Sequence, residues 1–486
     1  MPEWIITSIL VSLCLGQVWA VWRGAWVGAV YSICVSPLGY FSVWRWATWS
    51  PDRLCAAILI AGWLVRGSAT ERRRGGWHAF QYYALCGVAA TIVGGLFWPS
   101  LGTDLPSSAY QNWRLWIQVA NWAVLAGSGW IVGRTFARPG AFIRARSIIL
   151  AMGMILGSYA IYQAWALPAG LPTTGVRRPV ERIGADTIGE QFATYTFQGE
   201  VVFRPGSLVG EPKGFGAACV FWLSLVLSRA AYGRPGWAAA AQVGLLLLAL
   251  WFSASTTAWA GTILALVLGV LLLRMSGHAY LAKALPASVL LVVIGAALWL
   301  PSSGVSGREM LSYMALRAQV RFTERLTQEG PLPDLAERVA LERLNSKPVL
   351  WLLGAGFGGI SAYIAEELAG SSRLVLFPNN GLLGMICNFG LVGLAAMLYS
   401  FRRGLGVLLR AGHSHPGEAR AMAFVGLACL VQCFIFAQAW LLSWAFGFLL
   451  AAEFRAAYGL RRPPARGMFS IRAAHRVSKA RSLVSR

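Results

Sequence analysis

Stretches of roughly 20 apolar residues recur along the whole chain, and that is the length an α-helix needs to cross the hydrocarbon of a bilayer. Candidates run over 4–22, 25–44, 47–66, 77–98, 113–133, 146–167, 211–229, 236–253, 257–273, 282–300, 380–400, 419–437 and 438–454 of the 486 residues. A backbone in lipid must satisfy its own hydrogen bonds, which leaves helices as the solution for runs this long. The expected fold class is all-α: a polytopic integral membrane protein with about 12–13 transmembrane helices and a large helical outer loop. The last two runs have almost no loop between them, so a tight hairpin or one broken helix is expected. The first run lacks a basic start and an A-x-A site, so no cleaved leader is expected.

Composition agrees with this class. The chain is 57% hydrophobic and 13% charged, where a soluble domain carries about 25% charged residues. Its 23 tryptophans suit anchoring at membrane interfaces. All eight cysteines fall in apolar runs, with no CxxC or Cys/His cluster. Neither a disulfide framework nor a metal site is expected, and the sequence calls for no cofactor.

The net charge of +23 is distributed by loop. Arg66 with Arg72, Arg73 and Arg74 is one basic loop. Arg134, Arg138, Arg144 and Arg146 form a second, and Arg402, Arg403, Arg410 and Arg420 a third. The tail from Arg455 to Arg486 holds nine basic residues and no acid. The loops between these carry essentially no basic residue, so the basic ones are expected inside. That places two long loops, 168–210 and 301–378, on the outer face. The first carries four basic and four acidic residues, the second eight and eight. The basic residues never interleave with aromatics as a nucleic-acid groove would, so no nucleic acid is expected as a partner. Anionic membrane lipid beside the tail is the expected contact.

The apolar runs are nearly free of ionisable groups in mid-bilayer, which speaks against a proton-coupled carrier. Polar capacity sits in the outer loops and the helix ends beside them. In "EVVFRPGSLVGEPKGFGAACVFW" (Glu200–Trp222), Arg204 precedes a Pro-Gly turn and Glu211-Pro212-Lys213 opens a span. Pro212 suits a first helical turn and Glu211 the positive end of the helix dipole, so a well-made helix start is the plain reading. In the second loop Arg317, Arg321 and Arg325 recur every four residues on one face, where like charges call for a counter-charge. Glu324 or lipid phosphate would supply it. Arg338, Arg343 and Lys347 then lead through Pro348 to Gly354-Ala355-Gly356-Phe357-Gly358-Gly359. These glycines allow close approach of backbone to a ligand or another helix. Without a βαβ context they do not read as a nucleotide loop. The next span opens on Pro378-Asn379-Asn380-Gly381, and Asn is among the best helix caps.

The order of these pieces resembles the O-antigen polymerase and ligase superfamily over roughly residues 140–450. It is carried by "RPGSLVGEP" entering a span, the polar-rimmed "SASTTAWAGTILALVLGVLL", the Arg-rich outer loop ending in "KPVLWLLGAGFGG", and "PNNGLLGMICNFGLVGLAAML" with its "NFGLVG" turn. Accordingly the chain divides into N-terminal transmembrane helices at 1–140, a polymerase/ligase-like core at 141–454, and a basic cytoplasmic tail at 455–486.

The resemblance implies a metal-independent glycosyltransferase of the bacterial inner membrane with its long loops periplasmic. The donor it implies is an undecaprenyl-diphosphate-linked oligosaccharide, and its implied protein partners are a chain-length regulator and a flippase. Arg204 and one of Arg338 or Arg343 match the family's diphosphate-binding arginines. Guanidiniums suit this work because they bind phosphate bidentately. Glu211 is the first candidate for a base, so the expected catalytic set is Arg204, Glu211, Arg338 and Arg343. Lys213, Arg317, Arg321, Asn379 and Asn380 are the expected substrate-binding residues. Ligases of the family place a His at the start of the last long span, where this chain has Asn379 or Asn380. A carboxamide cannot take up a proton, which favours a polymerase of exopolysaccharide or O-antigen over a ligase acting on lipid A-core. A lipid-linked glycan transporter is a third reading.

Overall fold

The computed structural model describes residues 3–39, 50–66, 79–96, 98, 111–166, 169–173, 194–197, 200–232, 236–277, 312, 335–360, 363, 380–409, 417–436 and 438–461. The helices among them are α1 (Glu3–Arg23), α2 (Ala25–Val35), α3 (Pro51–Arg66), α4 (Ala79–Gly95), α5 (Gln111–Phe136), α6 (Ala141–Ala166) and α7 (Pro212–Leu227). They continue as α8 (Trp237–Ser253), α9 (Thr256–Met275), α10 (Leu335–Ser346), α11 (Pro348–Leu353), α12 (Gly381–Leu409), α13 (Gly417–Ile435) and α14 (Ala439–Arg461).

Among the described residues seven helices are long and apolar enough to cross a membrane: α5, α6, α7, α9, α12, α13 and α14. Three more, α2, α4 and α8, are apolar but shorter. The protein is thus a helical membrane protein. The expected span at 282–300 lies outside the described residues, as does the tail beyond 461.

The described residues bear out a helical fold, with one short hairpin beside the helices. Strands β1 (Thr194–Phe197) and β2 (Glu200–Phe203) pair antiparallel in the first long loop, with Thr194 opposite Phe203 and Phe197 opposite Glu200. "TYTF" and "EVVF" are rich in β-branched and aromatic residues, which pack well on a pleated surface. Two residues between the strands is the commonest hairpin spacing.

The helices alternate in direction, and their contacts sort them into two ends. At one end Trp26 Nε1 donates to Ala141 O at 3.1 Å, Arg420 Nη1 donates to Met275 O at 3.1 Å, and Glu418 pairs with Arg455 at 3.4 Å. The described arginines of the basic loops lie at this end. At the other end meet the starts of α7, α9, α12 and α14 and the ends of α6, α8 and α13.

Small residues let the helices approach closely, which is how helices associate where lipid is the solvent. The two last spans form the expected tight hairpin: α13 and α14 pack along each other, and a Cβ added to Gly426 would lie 2.9 Å from Ala445 O. α14 also packs on α5, where Ser443 Oγ donates to Leu125 O at 2.6 Å. Trp444 Nε1 reaches Ser36 Oγ at 2.8 Å. One continuous core runs from Ala29 to Ala456, shared by residues on both sides of position 140.

Candidate functional site

Two segments outside the α-helices dip between them at the end opposite the basic one. The first is Arg204–Glu211, which holds a single 3-10 turn at Ser207–Val209. Ser207 N donates to Gln163 Oε1 and Ser207 Oγ to Leu156 O, each at 2.8 Å. Leu156 lies ten residues inside the end of α6, roughly 15 Å at the rise of an α-helix. Backbone without its own helix is tolerated at such depth only where protein or a wet cavity surrounds it.

The Arg204 side chain is buried, and its guanidinium sits on the last carbonyls of α8. Nε donates to Ser253 O at 3.2 Å and Nη2 to Ala254 O at 3.4 Å. A cation at a helix C-terminus is favoured by the dipole and satisfies carbonyls the helix leaves open. Ser207 (φ 52) and Ala254 (φ 45) are the non-glycine residues with left-handed backbone among the described residues. Each costs about 1–2 kcal/mol, and both belong to this one corner.

Glu211 occupies the N-cap position of α7 with Pro212 at the first turn, and its carbonyl accepts from Phe215 N at 2.8 Å. Its side chain makes no cap bond. Lys213 Nζ lies 5.8 Å from the centre of the Phe436 ring, in the short α13–α14 turn.

The second segment is the glycine run Gly354–Gly359. It follows α10 and α11 and lies against a break in α12, where Gly390 (φ 63, ψ −172) interrupts the helix within "NFGLVG". Ala355 N donates to Cys387 O at 2.6 Å and Gly358 N to Asn388 Oδ1 at 3.0 Å. On the other side Phe357 N donates to Thr91 Oγ1 at 3.0 Å. The glycines therefore serve close approach to neighbouring helices. A Cβ on Gly354 (φ 78) would lie 2.6 Å from the backbone between Asn388 and Phe389.

α10 rests its apolar face, Val339, Ala340 and Leu344, on this segment. That docking brings Glu337, which is buried, to the start of α12, where Oε1 accepts from Asn380 N at 3.0 Å. Asn380 in turn caps the helix, its Oδ1 accepting from Leu383 N at 3.2 Å. Asn380 is exposed, and its Nδ2 donates no hydrogen bond among the described residues. Arg338, half-exposed, approaches Glu342 at 3.9 Å. Arg343 and Lys347 flank the buried Tyr363 ring at 5.9 and 5.5 Å from its centre.

The two segments lie at the same end, linked by the α13–α14 hairpin. Gly381 at the head of α12 lies against Cys433 and Phe434, and Phe436 lies under Lys213. Arg204, Glu211, Lys213, Arg338, Arg343 and Asn380 thus share one end of the bundle. Arg317, Arg321 and Asn379 lie outside the described residues. Sequence reasoning missed Glu337. Its signal is weak, because an acid in the first turn of an amphipathic helix also serves that helix's own dipole. Nothing local points 43 residues ahead to Asn380.

No family model matches the chain, and no curated protein matches it at a significant level. The class defined by the fold is a polytopic helical membrane protein with two segments outside the α-helices folded into one end.

Proposed function

We propose that the protein is a polymerase of a cell-surface polysaccharide, working at the end of the bundle that carries Arg204, Glu211 and α10. In the reaction an acceptor sugar hydroxyl attacks the anomeric carbon of an undecaprenyl-diphosphate-linked glycan. The bond from that carbon to the diphosphate breaks, the new glycosidic bond forms, and the hydroxyl proton passes to a base. Arginines stabilise the charge that develops on the leaving diphosphate, because preorganised donors in a partly dry site are worth most there. Arg204 and the α10 arginines fill this role, and Glu211 takes the proton. Lys213 and Asn380 orient the donor, and the same role is proposed for Asn379, Arg317 and Arg321, which lie outside the described residues. The sidedness follows from charge: the arginine-rich end faces the cytoplasm, so the site opens to the periplasm of a bacterial inner membrane.

The observation that carries this reading is the state of Glu211. It stands where a capping acid would, yet its carboxylate makes no cap bond, and no hydrogen bond or ion pair holds it among the described residues. It remains accessible between Arg204 and Lys213 in the chain. A carboxylate placed this way can accept a proton.

The test is genetic and chemical together. A strain deleted for this protein is expected to lose polymer and accumulate lipid-linked single repeat units. The intact gene restores polymer, whereas Glu211→Gln leaves the protein folded and abundant but does not. Full polymer from Glu211→Gln removes Glu211 as the base, and full polymer from the deletion strain removes the reading. Ligation would instead leave free polymer chains unattached to their final acceptor.

A further inference from the structure

At the basic end of the bundle, a partly buried arginine side chain lacks acceptors among the described residues, and a second arginine lies nearby. Arg146 lies one and a half turns into α6, and its guanidinium lies over the Tyr232 ring, 5.4 Å from the ring centre. Its Nε and Nη1 are buried and have no hydrogen-bond acceptor among the described residues. Arg229, in the short 3-10 turn Ser228–Ala231 after α7, accepts the Tyr232 backbone N–H at its carbonyl at 3.0 Å, which places it beside the same ring. Both are partly buried.

The groups nearby do not neutralise this pair. Glu418 is the adjacent acid: its Oε2 accepts from Gly140 N at 3.2 Å and pairs with Arg455 at 3.4 Å, while its buried Oε1 has no hydrogen-bond partner among the described residues and so is not joined to Arg146. Tyr232 is no counter-charge either. A tyrosine phenol ordinarily titrates at about pH 10 and is therefore neutral at physiological pH. Arg146 lies over the Tyr232 ring, Arg229 sits three residues before it, and Arg455 is already paired with the one carboxylate nearby, Glu418. A half-buried cation without an acceptor is costly, and a guanidinium pair is well shaped to grip the oxygens of a phosphate.

We propose that Arg146 and Arg229 hold the phosphate of an anionic phospholipid at the basic rim of the bundle, with Tyr232 as the plate behind Arg146. The depth fits a headgroup: Arg146 lies roughly 8 Å along α6 from its first residue. The rim also exposes Tyr232 and Trp237, the aromatic types that settle at headgroup level. Basic pockets between helices on the positively charged side recognise anionic lipid in this way. The inference is independent of the polymerase reading, since it concerns the opposite end of the molecule.

Native mass spectrometry of the full chain, purified in mild detergent after exposure to phosphatidylglycerol, tests it directly. The unaltered protein is expected to retain the lipid. The double variant Arg146→Gln with Arg229→Gln is expected to lose about tenfold in occupancy. Arg403→Gln, at the same end but already paired with Glu453 at 3.2 Å, is expected to retain it. Thermal unfolding in nanodiscs guards against a misfolded double variant. Phosphatidylglycerol added to phosphatidylcholine should raise the melting temperature of the unaltered protein, and the single variant Arg229→Gln should lose most of that rise. Millimolar inorganic phosphate in phosphatidylcholine alone should produce no rise. Equal lipid retention by the double variant overturns the site, and an equal rise with inorganic phosphate overturns the lipid as its ligand.

Discussion

Glu337 Oε1 accepts the backbone N–H of Asn380 at 3.0 Å, and Asn380 Oδ1 accepts that of Leu383 at 3.2 Å. Two side chains from distant parts of the chain thus satisfy two of the open donors at the start of α12. A carboxylate at that position also meets the positive end of the helix dipole. The bond ties α10, with Arg338 and Arg343, to the head of a membrane-spanning helix.

This latch has a measurable strength. Glu337→Gln is expected to cost about 1 kcal/mol, and Asn380→Ala about 1 kcal/mol through loss of the cap. Because both act on one helix start, the double variant should fall short of the sum. Unfolding in detergent reads all three. Unchanged stability in both single variants would mean that α10 is held by its apolar face alone.

Asn380→Asp separates capping from substrate contact, since Asp caps as well as Asn. The new carboxylate would stand beside Glu337 and repel a lipid diphosphate. Polymer is expected to stop and lipid-linked single units to build up, while the protein still accumulates in the membrane. Asn380→Ser, which caps without charge, should keep the protein as stable as before. Normal polymer from the Asp variant would leave Asn380 as a cap only.

Lysine is expected to replace Arg204 poorly, because it keeps the charge but loses the planar fork, both toward Ser253 O and Ala254 O and toward a phosphate. Loss of one strong transition-state contact costs about 3 kcal/mol, or roughly a hundredfold in rate. Arg338→Lys or Arg343→Lys should fall similarly, in whichever of the two meets the diphosphate. If all three lysine variants polymerise normally, the arginines do not hold the leaving group.

Gly390→Ala should destabilise the protein by about 2 kcal/mol or more. A side chain at φ 63 is strained on its own, and its Cβ would collide with Leu352 O. Gly354→Ala, on the facing backbone, should cost a similar amount and be non-additive with it. Equivalent melting temperatures for the alanine variants would show that the break in α12 does not depend on these glycines.

Much of this arrangement was legible in the sequence. Runs of apolar residues placed the described helix starts within a few positions, because length and hydropathy decide insertion, but α2 stops nine residues short of its run, α12 extends nine beyond its own and α14 seven. Arginine spacing sorted the loops into two ends. "RPGSLVGEP" and "GAGFGG" stood out as unusual backbone, but whether they would meet ligand or helix was not readable. That depended on Gln163, Leu156, Thr91 and Asn388, polar groups on other helices that offer hydrogen bonds to the inserted backbone. Arg204 was legible as a cation at a helix start, and not as the cap of α8, since nothing in its neighbourhood names Ser253. The β1–β2 hairpin went unread because four-residue strands carry little periodicity.

The most direct measurement is joining by the purified protein. Reconstituted into liposomes with undecaprenyl-diphosphate-linked repeat units and no other protein, it is expected to lengthen the glycan and release one undecaprenyl diphosphate per linkage formed. Glu211→Gln should release essentially none. Donor that crosses the bilayer unjoined, or donor left intact by well-folded protein, would contradict the account.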